Sequence, residues 1–112
     1  MKKWILMLIV LFPSVAWTAP QWCSGTITGT YIWKDGSLYI NGSWRGTWTR
    51  ICNLQTTLDG VTPEVCKAWM SYVVTGKTTN TPMTVYYSEL GSCSSIPHYN
   101  SAPIPGYVML RQ

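Results

Sequence analysis

The chain has 112 residues, eight Lys/Arg against four Asp/Glu, and a formal net charge of +4. That length allows one domain with one small core. Only 11% of residues are charged while seven are Trp and seven are Tyr, which excludes a disordered or charge-laced helical chain and fits a β-rich extracytoplasmic domain.

The N-terminus reads as an export signal. Met1-Lys2-Lys3 is a charged start, Trp4 to Phe12 is an apolar run, and Pro13-Ser14-Val15-Ala16 supplies small residues for cleavage. The expected cut follows Ala16, because a cut after Ala19 would place Trp17 and Pro20 at unfavourable positions. The run is well short of the ~20 residues that cross a bilayer, so no transmembrane segment is expected. Residues 1–16 are then the signal peptide and residues 17–112 a single secreted or periplasmic domain. Without Lys2 and Lys3 the domain has six basic and four acidic residues, a net +2. Its basic residues are scattered, with no block to neutralise a run of phosphates, so nucleic acid is not an expected partner.

Gly25 to Trp33 alternates and predicts a first strand, with Ile27, Tyr31 and Trp33 on one face and Thr26, Thr28 and Thr30 on the other. Asp35-Gly36 predicts a type I′ hairpin turn. Ser37 to Trp44 is the return strand, with Leu38 and Ile40 facing one way and Tyr39 and Asn41 the other. Arg45-Gly46 turns the chain, and Thr47 to Gln55 is a third strand with Trp48, Cys52 and Leu54 in phase.

The period then changes. Thr62 is a good N-cap, Pro63 suits the first helical position, and Glu64 complements the positive end of the helix. Cys66, Trp69, Met70 and Val73 form a helical stripe, and Gly76 reads as the stop, giving a helix over 63–75. Met83 to Ser88 is a fourth strand, Gly91 to Pro105 a long loop, and Gly106 to Arg111 a fifth strand. The order β-β-β-α-β-β is that of the OB-fold, a five-stranded barrel; another small α+β sandwich is the alternative.

Cys23, Cys52, Cys66 and Cys93 allow three pairings. In an OB-like fold the helix packs back toward the strand before it, which predicts Cys52–Cys66 and leaves Cys23–Cys93. The spacings match no zinc pattern and there is no Cys-x-x-Cys, so neither a metal nor any other cofactor is expected.

Candidate chemistry is sparse. His98 is the lone histidine, set in a Ser/Pro loop without a nucleophile signature, and a hydrolase would require it to be essential. Asp35 is explained by a turn and Glu64 by a helix start, so Asp59 and Glu89 are the one unassigned pair of carboxylates. No enzyme is expected. Aromatics are the unusual resource, since Trp and Tyr offer flat apolar faces with a polar tip. Tyr39 and Asn41 on the outer hairpin face, with Trp44 and Arg45 at its end, are the candidate ligand-binding residues.

Several segments carry a family likeness. Ala19-Pro20-Gln21-Trp22-Cys23 leads into a Gly/Thr-rich strand, and Thr49-Arg50-Ile51-Cys52-Asn53-Leu54-Gln55 is followed by Thr75-Gly76 and Met83-Thr84-Val85. Together these resemble the B subunits of bacterial AB5 toxins, above all the Shiga-toxin B subunit. The helix and the Val85-Tyr86-Tyr87 strand are more loosely similar to the pertussis-toxin and subtilase-cytotoxin B subunits. Cys93 falls where the second family cysteine lies, which agrees with Cys23–Cys93. The resemblance implies an OB-fold, a homo-pentamer with helices toward a central pore, an A-subunit partner and glycan binding. The chain departs from the family at Cys52, which replaces a sugar-stacking Trp, and in the long loop over 91–105. Two readings of function follow. One is an exported, non-catalytic, glycan-recognising B-subunit-like module. The other is a monomeric periplasmic OB-like module that binds a protein or envelope component.

Overall fold

The computed structural model describes residues 18–111. The expected signal peptide, residues 1–16, lies outside the described residues. The elements are β1 (Ala19–Gly25), β2 (Ile27–Ile32), β3 (Ser37–Gly42), β4 (Trp48–Asn53), α1 (Pro63–Thr79), β5 (Met83–Leu90) and β6 (Tyr107–Leu110), with a 3₁₀ turn at Cys93–Ser95. The chain is mainly β with one helix. Six strands form two antiparallel three-stranded sheets, ordered β1-β5-β6 and β2-β3-β4. A single residue, Thr26, separates β1 from β2. Its amide donates to Ser43 Oγ at 3.0 Å and its carbonyl accepts from Ser43 N at 2.9 Å, which fixes the bend between the sheets.

The expected five-stranded barrel is corrected on two counts. First, Ala19–Gly25 is a strand of its own, paired with β5 from Ala19↔Leu90 to Gly25↔Met83. Second, a barrel requires its outermost strands to pair, and β4 and β6 do not. The free edge of β4 is occupied by the loop before β6, where Tyr99 N donates to Trp48 O at 2.7 Å and Arg50 N donates to Tyr99 O at 3.1 Å.

The helix begins as its sequence dictates. Thr62 Oγ1 accepts from Val65 N at 3.3 Å, and Pro63 and Glu64 follow in the first turn. Its end differs. Gly76 does not stop the helix, which runs on to Thr79 and is capped by Asn80 in a left-handed conformation, φ 53° and ψ 39°. Gly76 is there for close packing: a Cβ on it would lie 2.9 Å from Met83 Sδ. The helix therefore packs tightly on the β5-β6 sheet at its far end. At its near end Cys66 joins Cys52 of β4.

The hairpin turn is also different in kind. Gly36 N donates to Trp33 O at 2.9 Å and Trp33 N to Ser37 O at 2.9 Å, and Gly36 alone within the turn has positive φ, at 91°. This is a three-residue loop ending in a left-handed glycine, not the two-residue type I′ turn. Asp35 is not in the left-handed region, and its carboxylate accepts from Ser37 N at 2.9 Å, closing an Asx turn.

Both expected disulfides form, Cys23–Cys93 and Cys52–Cys66. The core lies between the sheets and α1. Leu38, Ile40, Ile51, Cys52, Val73, Met83, Val85 and Tyr87 are all essentially inaccessible there. No helix among the described residues is long and apolar enough to cross a membrane.

Cys52–Cys66 closes a loop with a sequence separation of 14 and Cys23–Cys93 one of 70. Chain-entropy arguments give about 3 and about 4–5 kcal/mol respectively. Replacing Cys52 and Cys66 together by Ala should lower the unfolding free energy in urea by about 3 kcal/mol. Removing Cys23–Cys93 in the same way should cost more. Gly76→Ala tests the packing at α1. Alanine's better helix propensity offers about 1 kcal/mol, and overpacking against Met83 costs about 1–3 kcal/mol. A net loss of stability in urea melts is expected, and a larger one for Gly76→Val.

Candidate functional site

Two β-bulges decide which side chains face outward. In β2, Ile27 pairs with Gly42 and Gly29 with Asn41, so Thr28 is the extra residue. In β4, Cys52 pairs with Leu38 and Arg50 with Tyr39, so Ile51 is the extra residue. Each extra residue inverts the alternation beyond it. The expected common face of Ile27 and Tyr31 is therefore broken: Ile27 enters the core and Tyr31 turns out. The expected phase of Trp48 with Cys52 is broken too, because Ile51 and Cys52 both point inward while Trp48 and Arg50 point outward.

The outcome is an aromatic cluster on the outer face of the β2-β3-β4 sheet. Tyr31 stacks on Tyr39 with ring centroids 4.7 Å apart and planes 14° from parallel. Trp48 meets Tyr31 edge-on at 4.8 Å, and Tyr99 meets Tyr39 edge-on at 6.1 Å. Trp48 reaches across the sheet because Gly29 leaves room. A Cβ there would lie 2.8 Å from Trp48 Cη2. Tyr99 arrives from the loop over 96–102, held against β4 in a left-handed conformation of φ 53°.

Polar groups fringe the rings. Arg50, paired in register with Tyr39, donates through Nη2 to Asn100 O at 3.3 Å, while its buried Nε has no partner. Partial burial raises the Tyr31 phenol above its ordinary value, and the nearby Tyr39 and Tyr99 phenols add to this. Tyr31 thus stays a neutral hydroxyl at physiological pH. Asp35, at the hairpin end, is held below the usual carboxylate range by hydrogen bonds from Ser37, with a smaller contribution from Arg50. The face is open: among the described residues no cavity closes over it.

The sequence-predicted residues divide. Tyr39 lies within the cluster, 7% exposed, beneath Tyr31 and Tyr99. Asn41 sits on the same face between Gly29 and Trp48, its carbonyl accepting from Thr28 Oγ1 at 3.0 Å. Trp44 turns back against Gly42 and the core, and its buried indole N–H has no hydrogen-bond partner. Arg45 is occupied with the 96–102 loop, donating from Nε to Ile96 O at 2.7 Å and from Nη2 to His98 Nε2 at 3.3 Å. The structure therefore brings Tyr39 and Asn41 together with Tyr31, Trp48, Arg50 and Tyr99, which sequence reasoning did not join to them. One signal was present. An isolated glycine inside a strand pattern, here Gly29, marks a bulge or a close approach.

His98 has a geometry that bears on catalysis. A guanidinium is only a donor, so Nε2 must accept from Arg45, and the ring proton sits on Nδ1, facing Thr47 Oγ1 at 3.0 Å. In this tautomer the ring cannot take the Thr47 proton. A triad places a carboxylate behind the base to stabilise the imidazolium; here a guanidinium, that of Arg45, stands in that place.

A second aromatic group occupies the outer face of the other sheet. Tyr86 and Tyr107 stack at 4.9 Å, and Trp22, 58% exposed, leans on Tyr86 at 5.3 Å and donates from Nε1 to Tyr107 OH at 2.8 Å. It has no charged member.

Gly29→Val should push the Trp48 ring off β2. The expected signature is a changed near-UV circular dichroism spectrum and altered Trp emission, with the far-UV spectrum retained. Comparison with protein-family models, curated proteins and solved structures found no match to this chain.

Proposed function

We propose that this chain is an exported, non-catalytic, glycan-recognising module of the kind found as the B subunit of AB5 toxins, with the outer face of the β2-β3-β4 sheet as its recognition surface. The observation that carries the reading is the cluster of Tyr31, Tyr39, Trp48 and Tyr99 with Arg50 and Asn41 at its margin. Sugar rings present an apolar C–H face and a hydroxyl rim, and aromatic rings edged by phenol, amide and guanidinium groups answer both. Cys52 sits in the core, disulfide-bonded to Cys66, so it cannot supply the stacking ring that the family has at that place. Trp48 and Tyr31, turned outward by the bulges, supply flat rings on this face instead.

Export is supported by two disulfides, which persist in oxidising compartments. Assembly into a homo-pentamer with an A subunit is supported by apolar side chains left in water. On α1, Val65 and Tyr72 stand seven residues apart on one face, both exposed. The lack of catalysis is supported by His98, held in a tautomer that faces an arginine.

A glycan array with the secreted protein and light scattering of its solution mass test the proposal together. Binding to a defined glycan class, weakened at least tenfold by Trp48→Ala and by Tyr99→Ala but not by Trp22→Ala, is expected, with a mass of several copies. A strictly monomeric protein that binds no glycan would overturn it in favour of a periplasmic module for a protein or envelope component.

A further inference from the structure

The loop between η1 (Cys93–Ser95) and β6 is fastened at both ends and latched in the middle. Ile96 and Ala102 are buried and anchor it, and residues 97–101 between them are exposed. Over residues 96–102 the backbone bonds to the β2-β3-β4 sheet among the described residues are those of Tyr99 with Trp48 and Arg50. The side-chain latch lies next to them. Arg45, from the β3–β4 turn, holds Ile96 O through Nε and His98 Nε2 through Nη2, and His98 Nδ1 meets Thr47 Oγ1.

This latch works only with a neutral imidazole. A proton on Nε2 removes the acceptor that Arg45 uses and sets an imidazolium against a guanidinium. The charged and titratable groups around it do not absorb the new charge. Arg45 faces His98 from the turn. Arg50 binds Asn100 O from β4. Tyr99 and, beneath it, Tyr39 and Tyr31 are phenols. Of the chain's four carboxylates, Asp35, Asp59, Glu64 and Glu89, none among the described residues hydrogen-bonds to Arg45 or His98.

We propose that His98 is a proton-sensitive latch: neutral, it clamps residues 96–102 onto β4 and keeps Tyr99 over Tyr39; protonated, it releases them. Release lets the left-handed Tyr99 relax, withdraws its ring from the cluster and uncovers Tyr39. The sign is fixed by the donor-only guanidinium. The loop is held while the imidazole is neutral and loosens when falling pH protonates it. That this opening switches ligand binding rests on the reading of the aromatic face given above; the latch itself needs no ligand to be observed, so the two can fail separately.

Amide hydrogen exchange on the oxidised protein at pH 7.5 and pH 5.5, expressed as protection factors, tests it. The amides of Tyr99 and Arg50 should lose about tenfold protection at the lower pH, the scale of one charge-assisted hydrogen bond, while those of the central strand β5 hold. His98→Gln keeps an acceptor for Arg45 and a donor for Thr47 but does not titrate, so its protection should be high at both pH values. His98→Ala should be low at both. Equal protection of the native protein at the two pH values, a fall that persists in His98→Gln, or full protection in His98→Ala would each overturn the latch.

Discussion

The bulge at Ile51 is the constraint on which the rest depends. One extra residue in β4 sends two neighbours, Ile51 and Cys52, into the core and leaves Arg50 and Trp48 outside. Without it Ile51 would face solvent whenever Cys52 faced Cys66. With it, one short strand both fills the core and offers a cross-link to the helix. The partner bulge at Thr28 does the same for β2, seating Ile27 inside while Tyr31 turns out to meet Trp48. Core and aromatic face are thus two consequences of the same pair of register slips.

The helix closes what the strands leave open. Two three-stranded sheets joined at Thr26 expose inner faces too small to bury each other completely. α1 crosses that gap, bonded covalently to β4 at Cys66 and pressed on Met83 and Leu110 at Gly76. The remaining open seam, along β4, is sealed by a loop instead of a strand. A loop edge offers few backbone bonds, here the two at Tyr99. Its hold therefore depends on side chains such as Arg45 and His98, which is how a titratable group comes to control part of the surface.

Charge is sparse across the molecule, so single polar side chains matter locally. Arg45 is spent on positioning a loop and Asp35 on a turn, and Arg50 is the cation left at the aromatic face. The recognition proposed for this face would rely on stacking and hydroxyl contacts more than on ion pairing.

The sequence by itself determined the local features, because each rests on short-range physics. The helix start at Thr62-Pro63-Glu64 follows from capping, the strand pairs from alternation, and Leu38 and Ile40 point inward opposite Tyr39 as their spacing requires. The disulfide pairs followed from strand order, since a helix that packs back on β4 must bring Cys66 to Cys52. Tertiary structure alone decided the rest. The polar, proline-containing Ala19–Gly25 becomes a strand only because β5 offers it an edge, and the glycine at 76 leaves room for Met83 inside the helix while the left-handed cap falls at Asn80. The two sheets do not close into a barrel, and Tyr99 takes the edge of β4. The bulges, which set the face of every aromatic in β2 and β4, depend on which residues their partner strands can accommodate, and period-2 alternation carries no record of that.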